Sequence, residues 1–322
     1  MLQFLKNWTM PVAMFTGAFV YLLFANVPLL APTKPLVNTF LSYLTPTLIF
    51  AMLFLTFCKV SIRELRPRRW HLWLLLFQTL SCLLLAAFLL LMPDTAGRTT
   101  IQAAMVCLIC PTATAAAVIT GKLGGNASSL TTYTILSNLV TAIVVPILFP
   151  LVEPHEGLTF WPAFWVILGK VFPLLICPFI AAMLVRAFLP KLKERLASWH
   201  DLAFYLWSLA LAIVVGQTIR SIVHSEADWL TLLTIGGAGL ATCFVQFLLG
   251  KQIGGKYGDR ISGGQALGQK NTVFAIWMAY TYLTPLSSFG PGSYVLWQNM
   301  FNSWQLWRKR CKDTKQQATN DK

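Results

Sequence analysis

The sequence predicts an all-α polytopic membrane protein of ten transmembrane helices in two inverted five-helix repeats, and three observations carry that prediction. Of 322 residues, 56% are hydrophobic and only 11% charged, with a mean hydropathy of +0.64; soluble domains carry about 25% charge. Apolar runs of roughly 18 residues or more, enough to cross a hydrocarbon core of about 30 Å as helix, recur along nearly the whole chain. The basic residues, finally, fall almost entirely on one side of the resulting topology.

Apolar length read against breaks gives segments at 9–30, 36–58, 70–92, 99–121, 126–151, 160–187, 200–222, 228–249, 262–284 and 291–307. The first lacks a small-residue cleavage site and is read as a retained helix. With both termini cytoplasmic, the inside loops are 59–69, 122–125, 188–199 and 250–261. Inside segments and their flanks hold 20 of the 25 Lys and Arg residues, including Arg63, Arg66, Arg68, Arg69, Lys191, Lys193, Arg195 and the Arg308–Arg310 run. The outside holds Lys34, Arg98 and Arg220. Dropping one helix would swap all later loops, so the asymmetry supports the count. Trp70, Trp73, Trp161 and Trp199 near segment ends read as interfacial anchors. Residues 1–157 form the first repeat, 158–309 the inverted second, and 310–322 a polar, disordered cytoplasmic tail.

The net charge of +14 is explained by topology and an anionic bilayer, so nucleic acid is not an expected partner. The seven cysteines form no disulfide framework, and Cys107-x-x-Cys110 lacks companion ligands because His71, His155, His200 and His224 all fall in connecting segments. No Asp or Glu sits deep in a segment, which argues against an intramembrane enzyme. Two lysines do. Lys170 follows Gly169 in the sixth segment and can snorkel to an interface; Lys270 lies among Gln265, Gly268, Gln269 and Asn271, a run too polar for lipid. An ionisable residue at mid-bilayer costs about 2.5–3.5 kcal/mol or more, which marks Lys270 as a functional candidate.

The fourth and ninth segments are both interrupted. The fourth carries Pro111 in its middle, followed by Thr112 and Thr114; the ninth carries Gly263, Gly264 and Gly268. Each is the fourth of its set of five, and because five is odd the second set runs inverted. Interrupted helices at matching places in inverted halves point to a transporter site at the midplane. The plainer alternative is a proline kink and a glycine packing face.

Pro111-Thr112-Ala113-Thr114, Gly125-Asn126 before the fifth segment, "ALGQKN" in the ninth and "PGSYVLWQN" opening the tenth are similar to the bile acid:sodium symporter family, over nearly the full chain. The resemblance implies a panel domain (helices 1, 2, 6, 7) and a core domain in which broken helices 4 and 9 cross. It also implies carriage of organic anions in the groove between them, usually driven by two sodium ions. The chain departs from the family at the ion ligands. The family's ninth-helix Glu-x-Gly-x-Gln-Asn stands here as Ala266, Gly268, Lys270 and Asn271, and its fourth-helix Ser-Asn pair as Ala116 and Ala117. A fifth-helix serine is Leu130. Thr134 and Gln78 survive as a threonine and a third-helix glutamine. Sodium needs a cage of oxygens, so no sodium ion or other cofactor is expected.

One carboxylate with two sodium ions has a net charge of about +1, and one protonated lysine has the same. Lys270 is therefore expected to stand in for the ions, donating to carbonyls freed at the helix breaks. Thr112, Thr114, Asn271, Gln298 and Asn299 are the expected substrate contacts; Pro111 and Gly268 the break residues; Gln78, Thr134, Gln265 and Gln269 the residual polar site. The expected protein is a sodium-independent secondary transporter of a small organic anion in a bacterial inner membrane. The alternatives are a sodium-coupled carrier with a degenerate site and a non-transporting sensor. Oligomeric state is left open.

Overall fold

The computed structural model describes residues 9–27, 32–59, 65–154, 159–199 and 202–320. Residues 28–30 of the first predicted segment, Arg63, His155, His200 and the 157/158 repeat boundary lie outside the described residues.

The described chain is all helical apart from its connections. Its α-helices are α1 (Thr9–Asn26), α2 (Lys34–Cys58), α3 (Arg69–Leu91), α4 (Arg98–Ile109), α5 (Ala116–Leu123), α6 (Ala127–Val152), α7 (Phe160–Phe188), α8 (Pro190–Ser198), α9 (Leu202–Val223), α10 (Trp229–Gly255), α11 (Arg260–Gly268), α12 (Thr272–Tyr282) and α13 (Phe289–Asn320). Among the described residues, helix occupies most of each predicted apolar segment. Six of these helices, α2, α3, α6, α7, α9 and α10, are long and apolar enough to cross a membrane. Their outward faces carry large apolar side chains such as Phe40, Leu84, Trp165 and Phe244, as lipid contact requires.

Two predictions fail. The loop at 188–199 contains α8, and α13 runs on to Asn320 through the stretch read as disordered. Lys, Arg and Gln are good helix formers and no Gly or Pro follows Gly292, so nothing local stops the last helix.

The helices fall into two packed sets. α1, α2, α7, α8 and α9 pack on one another, while α3, α4, α10, α11 and α13 surround the broken segments, with α6 and α12 touching both sets. The second set is clamped at each end. At one end Arg68 pairs with Asp259, which also accepts from Trp70 Nε1 at 3.0 Å. At the other, Arg98 donates to Val152 O and Leu89 O, the C-terminal carbonyls of α6 and α3, where a cation complements the helix dipoles. Buried Gln102 adds a link, donating to Glu153 at 2.7 Å and accepting from Thr284 N at 3.3 Å. Both clamps join elements distant in sequence, so this set is held as a unit.

Candidate functional site

Two helices stop inside the protein. α4 ends at Ile109 because Pro111 has no N–H to continue the ladder, and residues 110–115 are non-helical before α5 resumes. α11 ends at Gly268, Gln269 is extended, and α12 resumes under an Asn271 cap whose Oδ1 accepts from Phe274 N at 3.3 Å. At the crossing Thr112 and Lys270 pair as one antiparallel bridge. Ala113 N donates to Gln269 O and Asn271 N to Pro111 O, both at 2.8 Å.

Six further backbone groups at the crossing are satisfied in matched pairs. Thr112 N donates to Ser137 Oγ of α6 at 3.2 Å, and Lys270 N to Gln298 Oε1 of α13 at 2.9 Å. Thr141 of α6 covers Ile109 O at 2.9 Å, and Tyr294 of α13 covers Gly268 O at 2.7 Å. The side chains of the bridge pair each reach the other broken helix: Thr112 Oγ1 donates to Ala266 O at 2.6 Å, and Lys270 Nζ to Leu108 O at 3.1 Å. Unsatisfied carbonyls in an apolar interior are costly, so every one of these bonds fixes the crossing.

Lys270 is 1% exposed, and its ammonium also donates to Gln78 Oε1 at 3.1 Å. Gln78 in turn donates to Ile109 O at 2.9 Å and accepts from Tyr133 at 3.3 Å. The charge sits at the C-terminal end of α4, where the helix dipole favours a cation. Among the described residues, Gln265 Oε1 and Gln269 Oε1 of the residual polar site are buried with no hydrogen-bond partner, while the other expected positions differ. Thr134 Oγ1 donates back to Leu130 O at 3.1 Å, and Ala116, Ala117 and Ala266 offer methyl groups. Among the described residues, no group of three or more His, Cys, Asp or Glu gathers to hold a metal.

A cavity of about 870 Å³ opens beside the crossing. Thr114, Gln269, Lys270, Asn271, Gln298 and Asn299 form its polar wall, Met52, Leu53 and Trp207 part of its apolar wall. Lys59 and Lys122 line it too, and no carboxylate does among the described residues. The start of α5 has no side-chain cap, unlike that of α12.

Not every expected site residue reaches this cavity. Thr112 is fully buried off it, its hydroxyl committed to Ala266 O, so it serves the crossing. Gln298 lines the cavity while its carbonyl holds Lys270 N. Asn299 lines it and donates to Val295 O at 2.7 Å. Gln265 is buried and donates to Asn302 at 2.9 Å, and Thr134 faces the interior of the helix packing. Lys170 is exposed on α7, away from the crossing. Gly263 and Gly264 pack against α10, as the plainer alternative held, whereas Gly268 does mark the break.

Sequence reasoning missed His71. It is 1% exposed in the first turn of α3, not in a connecting segment; Arg68 N donates to its Nδ1 at 3.2 Å, which leaves Nε2–H to donate to Ser129 Oγ at 3.1 Å. Asn126 Oδ1 caps α6 through Ser129 N at 2.8 Å, so the pair ties the starts of α3 and α6. The Asn126-x-x-Ser129 spacing of a helix cap was the available signal. Gln246 was missed as well; it donates to Cys107 O at 3.1 Å and to Tyr294 at 3.2 Å.

No curated protein matches the chain. The sequence profile of the sodium bile acid symporter family matches residues 46–225, from within α2 through α9, including the first broken segment. With an apolar, lipid-facing exterior, an internal break that ends at a cavity and more than half of its length covered by that profile, this integral membrane protein belongs to the sodium bile acid symporter family.

Proposed function

We propose that this protein is a secondary transporter of a small organic anion, independent of sodium, in which the Lys270 ammonium does the work of the ions. One observation carries the reading: Lys270 Nζ, enclosed at the crossing, holds Gln78 Oε1 and Leu108 O, each at 3.1 Å. Gln78, with Thr134, is a surviving family ligand, so on this reading the ammonium engages an oxygen that relatives offer to sodium. It bonds α4 to α11–α12 and leaves positive charge beside the cavity. Thr114, Asn271, Gln298, Asn299 and Gln269 are the proposed substrate contacts, with the uncapped start of α5 as a seat for negative charge. A cavity lined, among the described residues, by three lysines and no carboxylate favours an anion over a cation.

The matched hydrogen bonds from α6 and α13 to the crossing support two inverted repeats, in which each fifth helix serves the break of the fourth. On that reading ten segments cross the membrane, the two packed sets are the panel and core domains, and both termini are cytoplasmic in a bacterial inner membrane. Lys59 and Lys122, at the ends read as cytoplasmic, line the cavity, whereas Ala210 and Val214 share a closed apolar cluster with Phe274 and Trp277. The state described thus reads as open inward, with access alternating as one set rocks on the other. Catalysis is disfavoured because His71 and Ser129 face each other away from the cavity and no carboxylate orients the imidazole.

The test begins with a thermal-shift screen of organic anions, followed by proteoliposome uptake of the best ligand. Uptake equal in sodium and choline, and reduced at least about tenfold in Lys270→Met, supports the reading. Unchanged uptake in that variant refutes it.

A further inference from the structure

Helix α8, PKLKERLAS, is short, strongly charged and unburied, yet it is ordered between α7 and α9. Successive helical residues turn by about 100°, which places four kinds of surface around it. Lys193 and Ala197, both half-buried, lie on the side packed toward α2 and α7. Leu196 and Leu192 come next, Leu192 being 40% exposed. Arg195 and Lys191 follow, both exposed and four residues apart; Glu194 and Ser198 occupy the far side. Phe188 and Leu189 at one end and Trp199 at the other extend the apolar stripe, exposed by 76%, 52% and 45%.

Apolar stripe, basic edge and acidic far side form the profile of a helix lying in a membrane interface. A helix in water would leave Phe188, Leu189 and Leu192 uncovered; one in hydrocarbon would bury Lys191, Glu194 and Arg195. We propose that α8 is an interfacial helix that seats anionic lipid headgroups on Lys191 and Arg195, with Leu192 and Leu196 at the acyl boundary. Charge complementarity selects the occupant, since the edge beside the apolar stripe presents two cations, whereas the single acid, Glu194, lies opposite that stripe, about 60° beyond Lys191. The position gives it a purpose. α8 joins α7 to α9, and Lys59 Nζ at the end of α2 donates to Trp199 O at 3.2 Å, so one seat gathers the ends of three helices of the same packed set. A headgroup anchor there holds that set in the bilayer plane while the other moves.

The test uses the full chain in vesicles of phosphatidylcholine alone or with 30 mol% phosphatidylglycerol, reading the thermal midpoint of each variant as the difference between the two lipids. The unmutated protein is expected to gain roughly 3–5 °C from the anionic lipid. Lys191→Gln/Arg195→Gln should lose at least half of that gain, and Lys309→Gln/Lys312→Gln, which removes equal charge elsewhere, should keep it. No gain in the unmutated protein, or equal losses in both variants, overturns the seat. An equal gain from inorganic phosphate added to phosphatidylcholine vesicles overturns it too, because the site would then take a free anion.

Discussion

Lys270 and Gln78 share the crossing unequally. Lys270 Nζ donates to two acceptors; Gln78 supplies one of them while also donating to Ile109 O and accepting from Tyr133. Gln78→Leu therefore removes three bonds, whereas Thr141→Val removes a bond to Ile109 O that Gln78 still makes. Individual hydrogen bonds between membrane helices contribute modestly, so Gln78→Leu should destabilise by about 1–3 kcal/mol and Thr141→Val by less than about 1 kcal/mol. Denaturation midpoints in detergent check both, and equal losses would mean that Gln78 does not couple these groups. Lys270 was legible because a charge in an apolar run is expensive wherever it points. Its acceptor Leu108 O was not, since a carbonyl is freed only once the helix containing it has been broken and crossed. Thr112 misled for a similar reason: a hydroxyl at a break reads as a substrate contact until the facing helix end, Ala266, is in place.

The two interruptions differ in cause at the scale of elements. Pro111 breaks the first by chemistry, and it could be read directly. The second contains no proline; it depends on α10 and α11 approaching closely enough to aim Gly268 at the crossing. A Cβ added to Gly263 would lie 2.8 Å from Gly254 Cα, so backbone meets backbone there, while one added to Gly237 on the same α10 meets nothing within 4 Å. Gly263→Val should abolish monodisperse protein on size exclusion, and Gly237→Ala should leave the profile unchanged; a normal profile for Gly263→Val would show that the approach is dispensable. Apolar length located the start of every long helix to within a few residues because lipid contact imposes one composition throughout. It missed α8, whose nine residues are too short and too charged to register as a span, and the tail beyond residue 310, where polarity was mistaken for disorder.

At the scale of the whole molecule, the proposed topology rests on charge asymmetry and inversion, and it sets which end of the cavity faces the cytoplasm. Single reporters placed at exposed Asp94 and Ser198, in a Cys311→Ser background, test that orientation. Asp94→Cys should react with an impermeant maleimide in intact cells, and Ser198→Cys only after permeabilisation. Reaction of both from one side would remove the ten-span arrangement. The two interruptions were legible in the sequence, but the matched hydrogen bonds made to them by Ser137 and Gln298, and by Thr141 and Tyr294, were not, because those pairs share no residue type.

The fixed ammonium is the claim on which the rest turns, and sodium binding itself tests it without knowledge of the substrate. A resident ion held at a hundred times its dissociation constant would stabilise the fold by about 2.7 kcal/mol. The thermal midpoint of purified protein, measured in sodium chloride and in choline chloride at equal ionic strength, should be the same. A rise of several degrees specific to sodium would place an ion where Lys270 is held to act alone.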